Sequence, residues 1–214
     1  MSGVAALARL RRLGKPVVTT VEAGLALGAS SSSASHALRR LEQAGLVQRV
    51  RHGLWAVDPP IEPLLLPEFL TSPLPAYVSF QSALFLHGMI SQIPEVIYVA
   101  SLAQTRRVRT RLGTFSIHRV APSFFGGFVT GESGVRLATP EKALLDALYL
   151  VPARSRLFAL LPELELPVRF DRAEARRWLA RIPPGPRRTM AARRLDPLLG
   201  PRARPPGRRP TARR

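Results

Sequence analysis

Residues 28–57 read GASSSSASHALRRLEQAGLVQRVRHGLWAV, and this stretch decides the fold of the N-terminal third. Gly28-Ala29-Ser30 is a turn, and Ala34, Ala37, Leu38, Leu41 and Leu46 predict the inward stripe of the helix that follows it. The other side of that helix carries Ser31, Ser32, Ser33, Ser35, His36, Arg39, Arg40 and Gln43, with no acid between Ser30 and Arg40. Gly45 stands where a helix ends, and LVQRV, RHG and LWAV then predict two short strands around a basic turn.

Working outward, VAALARLRRL (residues 4–13) places Val4, Leu7, Leu10 and Leu13 on one helical stripe, stopped by Gly14, Lys15 and Pro16. A short extended Val17-Val18 follows, then Thr19 or Thr20 as N-cap of a helix VEAGLALG ending at Gly28. Helix, helix, tight turn, helix and β-hairpin within 58 residues is the order of a winged helix-turn-helix. Its third helix can enter a major groove about 12 Å wide, where serine hydroxyls and arginine forks reach base edges and phosphates. Arg49, Arg51 and His52 would set the wing on backbone phosphate or in the minor groove. A protein-docking helix-turn-helix, with the serines as no more than an N-cap cluster, is the competing reading.

Residues 58–77, DPPIEPLLLPEFLTSPLPAY, hold six prolines between apolar residues, which marks a connector whose Leu64–Leu66 pack on a neighbour. Beyond it, YVSFQSALFLHG predicts a short helix capped by Ser79 and stopped by Gly88, and VIYVAS a buried strand. RRVRTRL, Gly113-Thr114 and FSIHRV predict a hairpin, in which Arg106, Arg107, Arg109 and Arg111 make a second basic strand able to track DNA backbone. After a glycine-rich loop (Gly126, Gly127, Gly131, Gly134), ATPEKALLDALYL places Thr139 at an N-cap and Pro140 at N1, with Ala143, Leu144, Ala147, Leu148 and Leu150 buried.

The run from Tyr77 to Leu150 carries Tyr77-Val78-Ser79, Ser82-Ala83-Leu84, His87-Gly88, Leu112-Gly113-Thr114-Phe115 and, above all, Ala138-Thr139-Pro140-Glu141-Lys142-Ala143-Leu144-Leu145-Asp146. It resembles the AbiEi family, bacterial antitoxins of abortive-infection toxin–antitoxin pairs with related stand-alone transcriptional regulators. The family's winged helix resembles residues 1–57, including Gly45-Leu46-Val47 and Arg51-His52-Gly53-Leu54-Trp55, so the likeness covers roughly residues 1–180. The resemblance implies a DNA-binding repressor of its own operon that antagonises a nucleotidyltransferase-like toxin. The Arg/Pro-rich end lies outside the pattern.

Charge sharpens the placement. The 214 residues carry a net +18, no cysteine and four histidines. The excess is +5 over residues 1–58, +1 over 59–150, +3 over 151–182 and +9 over 183–214, so nucleic-acid contact is expected at the two ends. The lack of cysteine excludes disulfides, thiolate zinc and a cysteine nucleophile. No apolar run reaches the roughly 18–20 residues that span a bilayer, and the N-terminus lacks a signal-peptide pattern, so the chain reads as soluble and cytoplasmic.

Chemistry has few footholds. His87, His118, Glu141, Lys142 and Asp146 share one region, yet Glu141 fits a first-turn dipole partner and Lys142–Asp146 a reverse-order i,i+4 pair worth a few tenths of a kcal/mol. His87 before Gly88 reads as a helix-end residue meeting carbonyls. GGFVTGESG lacks the Lys-Ser/Thr of a P-loop, and no metal-binding Asp-x-Asp follows it. No enzyme activity, cofactor or metal is expected.

Toward the end, RSRLFALL (154–161) predicts a helix, and Asp171 caps RAEARRWLARI with Glu174 as its reciprocal capping-box partner. Ala175, Trp178, Leu179 and Ile182 make the buried stripe of that helix. Residues 183–199 offer one more short helix carrying Met190, Leu195 and Leu198, and residues 200–214, with six Arg, four Pro and no acid, read as a disordered basic tail. Such a tail either adds salt-sensitive affinity for nucleic acid or only solubilises.

The expected architecture is α+β: a winged helix-turn-helix at 1–58, a Pro-rich linker at 59–76, a mixed α+β domain at 77–182, then the short helix and tail. The expected partner is double-stranded DNA, with a cognate toxin and a homodimer on a palindromic operator as further possibilities. A stand-alone regulator, and an RNA-binding protein using the tail and strand 106–111, are the alternatives.

Overall fold

The computed structural model describes residues 2–150 and 164–200. The helix expected over 154–161 and all but the first residue of the tail expected over 200–214 lie outside the described residues. Within them the fold is mixed α+β, and no helix is long and apolar enough to cross a membrane.

The N-terminal unit runs α1 (Gly3–Arg11), β1 (Val17–Thr19), α2 (Thr20–Leu27), α3 (Ser31–Gln43), β2 (Val47–Arg51) and β3 (Leu54–Val57). Its sheet is antiparallel in the order β1-β3-β2. Leu7, Leu10, Val18, Ala23, Leu27, Leu38, Leu41, Val47 and Trp55 form its core. The α1 stripe differs from the sequence reading: Ala6, Leu7 and Leu10 are buried, whereas Val4 is 78% exposed and Leu13 lies outside the helix at the surface. Helical spacing marks a stripe but not how far the neighbouring helices reach along it. Thr19 caps α2 through a full capping box, its hydroxyl accepting from the Glu22 N–H while Glu22 accepts from the Thr19 N–H.

The proline-rich connector is built into the fold. A 3-10 turn (Pro63–Leu65) leads into α4 (Leu66–Thr71), where Leu66 and Leu70 are buried. Together with Ile61 they fill a cluster with Val17, Val50, Leu54 and Ala56 of the first unit and Ala76, Val99, Val108, Phe115 and Ile117 of the second. Two polar links cross the same boundary, Arg111 N–H to Val50 C=O at 2.9 Å and Arg111 to Glu42 at 2.7 Å.

The second unit centres on a mixed sheet of β4 (Ala76–Val78), β5 (Ile97–Ser101), β6 (Arg106–Thr110), β7 (Gly113–Arg119), β8 (Phe128–Thr130) and β9 (Arg136–Ala138), ordered β6-β7-β5-β4-β9-β8. β5 runs parallel to β7 and β4 parallel to β9; the other pairs are antiparallel. The β8–β9 hairpin stands where sequence gave only a glycine-rich loop, because three-residue strands are too short to show alternation. Alternation divides the sheet: Ala76, Val99, Phe115 and Ile117 face the shared cluster, while Tyr77, Tyr98 and Ala100 face the helices α5 (Phe80–Leu86), α6 (Pro140–Leu150), α7 (Arg172–Arg181) and α8 (Pro186–Leu199). α8 buries Ala191, Leu195 and Leu199 in this same core, with Met190 at the surface.

α6 is the centre of that layer, and every residue from Glu141 to Leu150 is buried. The Lys142–Asp146 pair therefore has the i,i+4 spacing read from sequence but not the weight of a few tenths of a kcal/mol given to it. Both side chains are wholly inaccessible, the ammonium contacts the Asp146 carboxylate, and the same carboxylate accepts from Ser79 Oγ at 2.6 Å and Tyr77 Oη at 3.0 Å. Lys142 Nζ also lies 3.7 Å from the Phe124 ring centroid and 5.0 Å from that of Trp178. Burial pushes the lysine down and the aspartate up, and each opposes the shift of the other. Ser79 consequently makes no cap to α5, although it stands at the N-cap. Glu141 likewise does more than meet a dipole: it accepts the Asp171 N–H at 2.8 Å. It supplies the reciprocal bond expected from Glu174, which instead pairs with Arg177. Asp171 itself caps α7 by accepting from Ala173 and Glu174 N–H. His87 ends α5 as expected, its Nε2–H donating to the Ala138 carbonyl at 2.7 Å.

Gly127 has φ +71, and a Cβ there would lie 2.5 Å from the Trp178 ring and 2.9 Å from Lys142 Cγ. Gly28, also left-handed at φ +64, faces open space. Gly127→Ala is expected to cost about 3 kcal/mol or more and Gly28→Ala about 1 kcal/mol in urea unfolding; equal costs would show that the Trp178–Lys142 packing does not constrain the loop. Burial holds His118 down at about 4. An unfolded imidazole takes its proton near pH 6.5, so between these values the unfolded chain binds more protons and stability falls as pH falls from about 6.5 to about 4. His118→Phe should flatten that loss by on the order of 2 kcal/mol, read from urea midpoints at pH 7 and pH 4.5.

Candidate nucleic-acid interface

Ser30 caps α3 by accepting from the Ser33 N–H, and its hydroxyl also donates to Ser33 Oγ at 3.1 Å. Ser33 is thus engaged in the cap, whereas Ser31 and Ser32 point their first-turn hydroxyls to the surface. With Ala34, Leu38 and Leu41 packed inward, Ser32, Ser35, His36, Arg39 and Arg40 fall on the outer side; Ser35 is half-buried and the others are exposed. Neither Arg39 nor Arg40 makes an ion pair among the described residues.

The hairpin turn Arg51-His52-Gly53 is fixed against the helices by three contacts. The Gly53 carbonyl accepts from Thr20 N–H at 3.0 Å, Trp55 Nε1–H donates to Thr20 Oγ1 at 3.0 Å, and Arg49 N–H donates to Glu42 Oε1 at 3.0 Å. The register slips by one residue between Arg49 and Arg51, and Val50 alternates to the face opposite Val47, where it packs in the shared cluster. Arg49 lies over the Trp55 ring at 5.8 Å and donates to His52 Nδ1 at 3.2 Å, so ring and guanidinium hold one another at the turn.

These placements bring two of the sequence-predicted groups together. A cleft of about 330 Å³ is lined by Ser31, Ser32, Ser35 and Arg39 from α3 and by Arg49, His52 and Trp55 from the hairpin. Beside it a groove of about 650 Å³ joins Arg51 and His52 to Arg106, Arg107 and Arg109 of β6, an edge strand of the larger sheet. The three arginines are not equivalent. Arg106 shares a strand face with buried Val108 and donates to the Leu70 carbonyl at 2.7 Å, while Arg107 and Arg109 alternate to the other face. Arg111 stands apart from both hollows, held by Glu42. His36 and Arg40 lie on the exposed side of α3 outside the cleft lining. Glu42 is the participant the sequence reading missed: it carries both the hairpin amide of Arg49, 7 residues on, and the guanidinium of Arg111, 69 residues on in the β6–β7 turn.

Residues 5–57 are similar to a family described as transcriptional regulator, AbiEi antitoxin. The resemblance seen in the sequence holds for this N-terminal region, and the match ends at the last residue of β3, short of the second unit. Among curated proteins the chain has no match. Glu42→Ala should cost about 1–2 kcal/mol by orphaning the half-buried Arg49 amide, whereas Arg111→Ala, which loses an exposed ion pair, should cost less than about 1 kcal/mol in urea unfolding; the reverse order would remove Glu42 as the support of the hairpin.

Proposed function

We propose that residues 1–58 make a winged helix-turn-helix domain that binds double-stranded DNA, and that the chain is a transcriptional repressor of the antitoxin kind rather than an enzyme. The observation that carries this reading is the shared cleft in which the first turns of α3 meet the hairpin turn, with serine hydroxyls, Arg39, Arg49 and His52 on one surface. A recognition helix needs its N-terminal side chains exposed and a second basic element beside it to fix register on the backbone; α3 and the wing have that relation. The neighbouring groove extends the cationic surface to β6, so that Arg51, Arg107 and Arg109 follow phosphates adjoining those met by the wing.

The family match at residues 5–57 supports the regulatory half of the reading and gives the antitoxin half its motive. In that role the chain represses its own operon and counteracts a nucleotidyltransferase-like toxin, with two copies bound as a homodimer to a palindromic operator. Phosphate contacts release counterions, so each lost arginine lowers both affinity and its salt dependence.

Arg39→Ala with Arg40→Ala is expected to weaken operator DNA binding at least tenfold at 0.1 M salt and to reduce the slope of log K against log salt by about 2, measured by fluorescence anisotropy of labelled duplex. Both side chains are exposed, so the unfolding midpoint should not move. Unchanged affinity in a folded double variant removes α3 from the DNA surface.

A further inference from the structure

Among the described residues, the helix layer covers β4, β5 and β9 but leaves the β6–β7 end of the same sheet face open. There β-pairing aligns three side chains in one row: Tyr98 is opposite Ser116, and Ser116 is opposite Arg107. Neighbouring strands lie about 4.8 Å apart, so a phenol, a hydroxyl and a guanidinium stand in line across roughly 10 Å. The row forms the floor of a cleft of about 460 Å³, walled by Gln81 of α5 and by Ile90, Ile93, Val96 and Glu95 from the segment that enters β5. That volume is in the range of small-molecule sites.

Three features of the lining go together. Arg107 and Glu95 line the cleft together with Tyr98, whose hydroxyl pKa is raised by burial, lowered by Arg107 and raised by Glu95, so a cation and an anion stand over one floor. Neither makes an ion pair among the described residues. On the third side the wall is apolar, and Ile93 is 73% exposed at its rim, where an isoleucine contributes nothing to the core. Ser116 Oγ, hydrogen-bonded to His118 Nε2 at 2.9 Å, is oriented by an imidazole that packs edge-on to Phe80, so the floor is rigid. A pure anion would leave Glu95 opposed, and a pure cation would oppose Arg107.

We propose that this cleft is an effector site for a small zwitterion with an apolar arm, an α-amino acid with a hydrophobic side chain. Its carboxylate pairs with Arg107, its ammonium with Glu95, and its side chain covers Ile90, Ile93 and Val96. Arg107 also lines the groove that reaches the wing, so a carboxylate on Arg107 competes with phosphate for the same guanidinium. The coupling to DNA rests on the DNA-binding reading above; the binding of the amino acid does not.

The test uses the full chain and four probes, L-phenylalanine, L-leucine, 3-phenylpropionate and phenethylamine, in titration calorimetry without DNA. The expected result is saturable binding of L-phenylalanine or L-leucine, with both single-charge compounds at least tenfold weaker than L-phenylalanine. Glu95→Gln should bring L-phenylalanine down to the level of 3-phenylpropionate, and Arg107→Gln to that of phenethylamine. No binding of either amino acid at 10 mM, or 3-phenylpropionate binding as well as L-phenylalanine, overturns the site. In a second arm, saturating L-phenylalanine should weaken duplex DNA binding about three- to tenfold at 0.1 M salt, the effect of losing one phosphate contact. Glu95→Gln should keep the ligand-free DNA affinity and lose this response. Amino-acid binding without any change in DNA affinity overturns the effector role, and absence of DNA binding under all conditions overturns the DNA reading while the calorimetry still decides the site.

Discussion

A lysine and an aspartate without access to water hold the second unit together. Desolvating two charges costs several kcal/mol each, and an attraction that offsets this needs good geometry and full use of the remaining lone pairs. Asp146 meets that condition with three donors, from Lys142, Ser79 and Tyr77, and Lys142 adds the faces of Phe124 and Trp178. The donors come from β4 and the residue after it, the ring faces from a second 3-10 turn (Pro122–Phe124) and from α7, and the pair itself from α6. One ionic contact thereby fixes which strand, which turn and which helix converge. Removing either partner would strand the other charge, at a cost of about 3–5 kcal/mol, which is why so many elements depend on it. The close approach of Trp178 to Gly127 follows from the same convergence.

From that centre the constraint passes to the N-terminal unit through the sheet. The face of β4, β5 and β7 turned away from Lys142 packs through Ala76, Val99, Phe115 and Ile117 on the connector and on Val17, Val50 and Leu54. The proline-rich connector therefore works as a wedge between two sheets. Its Leu66 and Leu70 fill the space, and Arg136 of β9 pairs with Glu68 of α4 at 2.5 Å to hold the wedge in place. The hairpin turn, supported from below by Val50 and from the side by Glu42 and Thr20, is held relative to α3 by the chain itself. Preorganised contacts of this kind spare the ordering entropy that a loose loop would lose on binding.

Much of this was legible in the sequence where local physics decides. Ser30, Ala34, Leu38, Leu41 and Gly45 mark α3 because a helix cap, a period of 3.6 and a left-handed terminator act over a few residues, and the basic turn between β2 and β3 follows in the same way. What failed depends on distant partners. Val4 belongs to the α1 stripe by spacing but has no neighbour to cover it. By spacing alone Lys142 and Asp146 weigh a few tenths of a kcal/mol, because i,i+4 spacing is the same on a buried helix as on an exposed one. The Asp171 capping partner is 30 residues away at Glu141, out of reach of a four-residue motif. For the candidate interface, α3 and the turn are neighbours in the chain, while the separation of Arg106 from Arg107 and Arg109 depends on which face of β6 meets α4, and that of Arg111 on Glu42 of α3.

β6 is where the two units share chemistry, and its composition has a simple partial cause. An edge strand presents unpaired backbone groups, and long charged side chains along it discourage pairing with another chain. That accounts for arginine at 106, 107 and 109 without any ligand. It does not account for the face on which Arg107 lies, where Ser116 and Tyr98 continue the row inward, nor for an isoleucine standing 73% exposed at the rim of the cleft that covers it. Edge protection needs charge at the outermost strand only. A polar row three strands deep, beside an apolar wall left uncovered among the described residues, is what a site requires, and because its outermost member also borders the wing groove, any group that occupies the row acts on a cation of the proposed DNA surface.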